Sequence, residues 1–206
     1  GYLRGINGTL THHILFAHRH IYCSDRVQGQ VFQQIMAVIK QEQPDLCCFV
    51  EIEQTTFHRG IIRLMADITT EPYLHYDIEN KYGHDSRLRT FHMTRGKSNA
   101  FFAKKFFHYD KLYFSHGIKR LIYKIDLAPA LTLYFAHFSL SKKIRAQQLQ
   151  EVRQLFNNTL GEVIILGDFN ILGGFTELEP LLLNDLVCLS LEKQHTFRFH
   201  ILKKTL

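Results

Sequence analysis

The sequence lacks the features that mark several classes of protein. No run of eighteen apolar residues occurs in its 206 residues, so no transmembrane helix is expected. The opening stretch, Gly1 to Ile6, has no charged segment leading into an apolar one, and no signal peptide is expected there. Internal repeats and low-complexity linkers are missing as well. A single domain over residues 1–206, with a substantial core, fits this length and pattern.

Cysteine is scarce, and its placement does not indicate a zinc site. The four cysteines include no pair with zinc-ligand spacing. Cys47 and Cys48 lie in one apolar run, Cys188 lies in another, and Cys23 stands alone. Because buried free cysteine behaves as a small hydrophobe, we interpret these residues as reduced core residues. Reduced thiols favour a reducing compartment, and the cytoplasm is the favoured location.

Blocks of like charge are also missing. Apolar residues make up 46% of the chain and charged residues 21%, which is ordinary for a globular protein. The formal charge of +6 favours anionic partners such as nucleic acid, phospholipid headgroups or phosphorylated metabolites. A solvated surface with some excess lysine explains the charge equally well. The basic residues are scattered, so no nucleic-acid-binding tail is predicted.

Apolar periodicity predicts the helices. From Val31 to Ile39 apolar residues recur at helical spacing, and Pro44 ends this helix because the residue before proline avoids the helical region. The same spacing predicts helices over residues 57–68 and 142–157. A Thr-x-x-Glu sequence at 176–179 resembles a capping box and predicts a further short helix.

Short runs rich in β-branched and aromatic residues predict the strands. Leu46 to Val50 is uninterrupted apolar sequence, which is typical of a strand buried on both faces. The polar stretch from Glu79 to Ser98 is predicted to be mostly loop. The other strands are predicted over residues 99–103, 120–127, 131–138, 162–166 and 186–191.

Two carboxylates follow directly on buried strands that lie far apart in the sequence. Glu51 follows the first strand, and Asp168 comes just after the strand over residues 162–166. In layered α/β folds ligands bind where strand ends and their loops converge, so the two residues are candidates for one shared site. A carboxylate at the end of an apolar strand is costly unless it is paired or bound to a metal. Glu51 is therefore a candidate metal ligand, with a salt bridge or a solvated strand end as the alternatives.

The sequence Gly167-Asp168-Phe169-Asn170 is the more specific signal. Asp168 and Asn170 are two residues apart, so an extended segment projects both side chains the same way. Gly167 lets the backbone pass close to a ligand. A carboxylate can orient or deprotonate a water, and an amide can donate to a phosphoryl oxygen. An Asx turn that closes the strand is the alternative interpretation.

Taken together, these motifs resemble those of the endonuclease/exonuclease/phosphatase family of metal-dependent phosphoesterases. Asp45 to Glu51 is similar to the buried strand that delivers the family's metal-binding glutamate. Ile164 to Asn170 is very close to the family's most distinctive motif, and Ala136 to Phe138 is similar to its strand ending in a histidine. Further family positions are matched by Asn99, Arg145, Gln148, Thr196 and Phe197.

The resemblance implies both a fold and a chemistry. The fold would be an α/β four-layer sandwich of two packed mixed β-sheets flanked by helices. The activity would be metal-dependent hydrolysis of a phosphodiester or phosphomonoester, with magnesium, or alternatively manganese, as the cofactor. The substrate would contain phosphate, as nucleic acid, phospholipid or inositol phosphate do. A monomer is expected.

The same resemblance implies roles for individual residues. Glu51 would hold the metal, Asp168 would orient the attacking water, and His137 would contact the phosphate or assist proton transfer. Asn170 would act in catalysis through a contact with the phosphate. Three residues would bind the substrate: Asn99, Asn170 and Arg145. Judged on its own, a lone histidine or a helix arginine of this kind is as well explained by a structural role.

Two pieces of the family pattern are missing from this sequence. The family opens with a strand ending in an asparagine, for which Asn7 is misplaced. It closes with a Ser-Asp-His motif, which neither His195 nor His200 reproduces. The sequence therefore resembles a family domain without its first and last strands. The alternative to a hydrolase is a catalytically incomplete member of the fold that acts as a binding or interaction domain.

Overall fold

The part of the chain that the structure describes contains ten helices and strands. The computed structural model describes Leu15 and residues 24–53, 72–91, 94, 96–171, 173–182 and 186–189. The elements are α1 (Asp25–Glu42), β1 (Leu46–Glu53), β2 (His75–Asn80), β3 (Lys97–Ala103), β4 (His108–Tyr113), β5 (Leu121–Ala128), β6 (Leu131–His137), α2 (Lys142–Asn157), β7 (Glu162–Asp168) and α3 (Glu179–Leu182). Two short 3-10 helices cover Arg87–Arg89 and Phe175–Leu178.

Helix α1 starts earlier than the apolar periodicity predicts and ends where proline requires. Ser24 precedes it in an extended conformation. After Glu42 the chain enters a left-handed residue, Gln43 with φ 45°, whose N–H donates to the carbonyl of Ile39 at 2.8 Å. Pro44 follows, so the helix stops one turn before the first strand. The prediction for α2, residues 142–157, matches its bounds.

The strands form two sheets. Strands β1, β3 and β2 make a three-stranded antiparallel sheet with β3 in the centre. Strands β4, β5, β6 and β7 make a four-stranded sheet in which only the β6–β7 pair is parallel. A parallel pair needs a long crossover, and α2 provides it. The carboxyl ends of β6 and β7 therefore lie side by side at one edge of the sheet.

Three apolar clusters separate four layers. Helix α1 packs on the three-stranded sheet, where Phe32 meets Phe102. The two sheets face each other through Phe101 on one side and Phe135 on the other. Helix α2 covers the outer face of the four-stranded sheet with Leu149. The order is helix, sheet, sheet, helix, which confirms the predicted α/β four-layer sandwich.

Strand β1 has apolar contacts on both faces, as predicted. Cys47 and Phe49 pack toward α1, while Cys48 and Val50 pack toward the second sheet. Both cysteines are unbridged thiols that are partly buried. Burial, together with Cys47, raises the pKa of Cys48 to about 12. The Cys48 thiol is therefore protonated at neutral pH and packs as a small apolar side chain.

Two strands, β2 and β4, are not predicted by the apolar pattern because polar side chains from both meet between the sheets. Asp77 on β2 accepts hydrogen bonds from the hydroxyls of Tyr123, at 2.7 Å, and Tyr109, at 3.1 Å. The ammonium of Lys111 lies 2.9 Å from the same carboxylate. This polar network joins β2 to the opposite sheet and fixes the position of the segment that follows Asn80.

Residues 79–98 are mostly loop, as predicted, apart from the end of β2, the short 3-10 helix at Arg87–Arg89 and the start of β3. Other predictions about local structure need correction. The Thr-x-x-Glu sequence forms no capping box, because Thr176 lies inside a 3-10 helix that Gly174 precedes without a side-chain cap. Residues 186–189 carry no strand, and the predicted helix over 57–68 lies outside the described residues. Among the described helices, none is long and apolar enough to cross a membrane.

Candidate active site

Glu51 lies on a β-bulge within β1 rather than at the end of a strand. The register between β1 and β3 shifts between Phe49 and Ile52. Glu51 has φ 59°, a left-handed conformation that costs a residue other than glycine on the order of 1–3 kcal/mol. Its N–H donates to Oδ1 of the buried Asn99 at 3.2 Å. The bulge and this hydrogen bond together set the direction of the Glu51 side chain.

Lys81 forms an ion pair with the Glu51 carboxylate. Its Nζ lies 3.2 Å from Oε1 of Glu51, and the two side chains are 5% and 24% exposed. Burial acts to raise the pKa of Glu51, but the charge and hydrogen bond of Lys81, together with the charge of Lys119, outweigh burial and lower it. Burial lowers the pKa of Lys81, and Glu51 opposes that change. Glu51 is therefore ionised at neutral pH.

Backbone pairing across the two sheets brings a second lysine to the first. The carbonyl of Lys81 accepts from the N–H groups of Arg120, at 2.8 Å, and Leu121, at 3.2 Å. The next residue, Tyr82, pairs with Lys119 in an isolated antiparallel bridge. The segment after β2 is thereby tied to the segment before β5, with Lys81 and Lys119 on the two sides of the connection.

The two lysines lie near both of the carboxylates that the sequence singles out. Glu51 and Asp168 each act to raise the pKa of Lys81 and of Lys119, so both carboxylates are near both ammonium groups. Burial and the charge of Lys81 nevertheless lower the pKa of Lys119 to about 8. The structure thus brings Glu51 and Asp168 to one place. Their catalytic roles stay predictions.

His137 is a buried, neutral histidine at the carboxyl end of β6. Burial, Lys119 and Lys81 lower its pKa to about 3. Its Nε2 accepts a hydrogen bond from the ammonium of Lys119, which leaves the ring proton on Nδ1. The 3.5 Å contact from Nε2 to Asp168 is therefore not an ion pair at neutral pH. Within the part of the chain that the structure describes, Nδ1 has no hydrogen-bond partner.

Asp168 is the accessible carboxylate of the group. The parallel register places it opposite His137, and its side chain is 45% exposed. Its Oδ1 accepts a hydrogen bond from the N–H of Asn170 at 3.0 Å. This is an Asx turn, the alternative interpretation of the motif in the sequence. Asn170 has φ 51°, and its amide donates to the carbonyl of Phe138 at 2.9 Å. Asn170 therefore orients the end of β7 through bonds to the backbone.

Gly167 permits the close approach of β7 to β6 that positions Asp168. A Cβ at this residue, which has φ 154°, would lie 1.8 Å from the carbonyl oxygen of Ala136. We expect Gly167→Ala to lower the free energy of unfolding by about 1–3 kcal/mol, measured by urea denaturation. Gly29→Ala in α1 is the control, because its Cβ would meet no atom within 4 Å. Equal stability of the two variants would contradict this account of Gly167.

Arg145 is buried and bonds to other residues of the protein. Its side chain is 2% exposed and forms an ion pair with Glu177. It also donates to the carbonyls of Ser139, at 2.8 Å, and Leu140, at 3.0 Å. These bonds hold the segment that follows β6. The geometry favours the structural alternative for Arg145 over the substrate-binding role that the resemblance implies.

Gln148, which lies on α2 as Arg145 does, links that helix to Lys119. Its Oε1 accepts from the N–H of Ser139 at 2.9 Å, and its Nε2 donates to the carbonyls of His116 and Lys119, each at 2.9 Å. Helix α2 thus positions both sides of the site. The sequence motifs do not single out Lys119 and Lys81 as functional candidates. Lys119 is one of many scattered basic residues, and Lys81 lies in a segment predicted to be mostly loop.

Several other predicted residues have no structural description. Asn7, His195, Thr196, Phe197 and His200 lie outside the described residues. The match of Thr196 and Phe197 to family positions therefore stays a prediction.

The described residues, as arranged, do not fit the magnesium ion that the resemblance implies. Magnesium is held by one or two carboxylates, with water and phosphate in its remaining positions. Oε1 of Glu51 already has the Lys81 ammonium as its partner. The cation beside Glu51 is an ammonium group of the protein.

Comparison with known proteins finds similar folds among solved structures. No family model and no curated protein matches the chain. TDP2 from C. elegans is 16% identical with a TM-score of 0.49, and the match covers 72% of this chain and 44% of that one. ANGEL2, a 2',3'-cyclic phosphatase, is 16% identical with a TM-score of 0.49, and the match covers 73% and 46%.

A bacterial structure gives a similar result. An endonuclease/exonuclease/phosphatase family protein from Bacteroides thetaiotaomicron is 15% identical with a TM-score of 0.47, and the match covers 75% of this chain and 58% of that one. The chain therefore spans less than two thirds of each of these three structures.

Proposed function

We propose that the protein hydrolyses a phosphoester, with Asp168 orienting and deprotonating the attacking water. The observation that carries this proposal is the parallel pairing of β6 and β7, which sets the exposed Asp168 carboxylate beside His137 and the two ammonium groups. The resemblance of residues 164–170 to the most distinctive phosphoesterase motif supports the same conclusion.

The proposed step uses one carboxylate and one water. As the water oxygen bonds to phosphorus, its proton passes to the Asp168 carboxylate. The ester P–O bond breaks, and the leaving oxygen takes a proton from solvent water. His137 is neutral and accepts from Lys119, so its part is to position that ammonium beside the reacting group. No step depends on the Asn170 amide, which is bonded to the backbone.

The proposed substrate is a phosphodiester or phosphomonoester in nucleic acid, phospholipid or inositol phosphate. The formal charge of +6 suits any of these anions, and the described residues favour none of them. A magnesium or manganese cofactor, a monomeric state and a single domain all stay predictions, and the Glu51 carboxylate that the resemblance assigns to the metal already has the Lys81 ammonium as its partner.

A substrate panel tests the proposed function. The chain is incubated with single-stranded DNA, RNA, sphingomyelin and an inositol phosphate, each in Mg²⁺, in Mn²⁺ and in EDTA. We expect hydrolysis of one substrate class above the rate of a heat-denatured control. If the folded protein hydrolyses none of them under any condition, the proposal is wrong. Binding without hydrolysis would then favour the alternative, a catalytically incomplete domain that binds a phosphorylated partner.

A further inference from the structure

Within this site Lys81 lies beside Glu51, the residue to which the family resemblance assigns a divalent cation, and Lys119 lies near both of them. Lys81 contacts Glu51 directly, and its side chain is 5% exposed. Lys119 contacts His137, which in turn lies 3.5 Å from Asp168. Glu51 and Asp168 each attract both ammonium groups and favour their charged forms.

We propose that Lys119 binds the phosphoryl group of the ligand directly, with the charge of the buried Lys81 behind it, and that the two ammonium groups replace a divalent cation beside Glu51. This inference rests on the proposed function, since it names the groups that hold the phosphate at that same site. Two fixed ammonium groups in a partly buried site interact with a phosphate anion more strongly than they would in water. Lys119 carries three N–H donors, and its contact with His137 uses one of them.

Contacts within the protein hold both lysines in place before a ligand binds. Lys81 is held by its ion pair and by backbone pairing to residues 120–121. The carbonyl of Lys119 is held by Gln148, and its ammonium by His137. Donors that are oriented before the ligand arrives lose little conformational entropy when it binds. A phosphate site that is organised in this way needs no metal ion to order it.

Binding of inorganic phosphate in EDTA tests the inference. Titration calorimetry on the full chain should detect phosphate binding without a metal, and added Mg²⁺ should change the affinity less than about twofold. Lys119→Met should weaken binding by about tenfold or more, because it removes one charge-assisted contact. The control is Lys124→Met on β5, whose ammonium lies 3.7 Å from Asp110 and 3.9 Å from Asp126. We expect the control variant to bind phosphate as the unmodified chain does.

Lys81 needs a paired change because its removal alone leaves the Glu51 carboxylate without its ion-pair partner. The double variant Lys81→Met with Glu51→Gln removes one positive and one negative charge, so the net charge of the site is unchanged. We expect this double variant to remain folded by circular dichroism and to lose phosphate affinity by about tenfold or more. Unchanged affinity in this variant or in Lys119→Met would overturn the inference.

Failure of this inference and failure of the proposed function give different results. Phosphate binding and hydrolysis that both require Mg²⁺ would overturn the role of the lysines and leave the hydrolase intact. Phosphate binding in EDTA that Lys119→Met abolishes, in a protein that hydrolyses no ester, would sustain the lysine site and refute the hydrolase.

Discussion

Asp168→Asn should hydrolyse the substrate found in the panel about 100- to 1,000-fold more slowly than the unmodified chain, as kcat/KM. This is the scale of losing one well-placed group that acts on the transition state. Asparagine keeps the shape of the side chain and an oxygen to accept the N–H of Asn170, so the end of β7 should be preserved. What is lost is the charge that orients the water and takes its proton.

A second carboxylate on the same strand provides the control for this experiment. Glu162 begins β7, is exposed, and lies at the opposite end from Asp168. Glu162→Gln should leave kcat/KM within about twofold of the unmodified chain, since surface charges at that distance are screened. If Asp168→Asn retains the full rate while its fold is intact, another group activates the water and the proposed role of Asp168 is wrong.

Arg145→Met should lower the free energy of unfolding by about 3–5 kcal/mol, the range measured when one partner of a buried ion pair is removed. Glu177, whose side chain is 7% exposed, would lose the guanidinium that neutralises it. The carbonyls of Ser139 and Leu140 would lose donors as well. Arg145 also lowers the pKa of Glu177 against the opposing effect of burial, so this carboxylate is ionised at neutral pH.

Urea denaturation would measure this loss, with Arg153→Met on the same helix as the control. Arg153 donates to the carbonyl of Pro180 at 3.0 Å and is partly buried, so its loss should cost about 1 kcal/mol. A double variant, Arg145→Met with Glu177→Gln, should recover part of the stability because it removes the unpaired charge. Equal losses for Arg145→Met and Arg153→Met would contradict the ion-pair account.

Much of the fold follows from local apolar pattern. Strand β1 alternates between two apolar clusters, as an uninterrupted run from Leu46 requires, and α2 has the bounds that its spacing predicts. These patterns are readable because burial of one face or both faces repeats at a fixed spacing along the chain. Strands β2 and β4 are not readable in this way, since Asp77 and Lys111 pair with residues across the sheets rather than with apolar neighbours.

The candidate site, like the fold, is predictable from the sequence only in part. The sequence by itself determined that Glu51 and Asp168 are the carboxylates next to buried apolar runs, and it identified His137, Asp168 and Asn170 as candidates through motifs of adjacent residues. Only the tertiary structure decided that Lys81 is the partner of Glu51, and that Lys119 is the partner of His137. The physical reason is that an ion pair depends on a distance of a few ångström between atoms far apart in the chain. Backbone pairing between residues 81–82 and 119–121 sets that distance, and no local pattern records it.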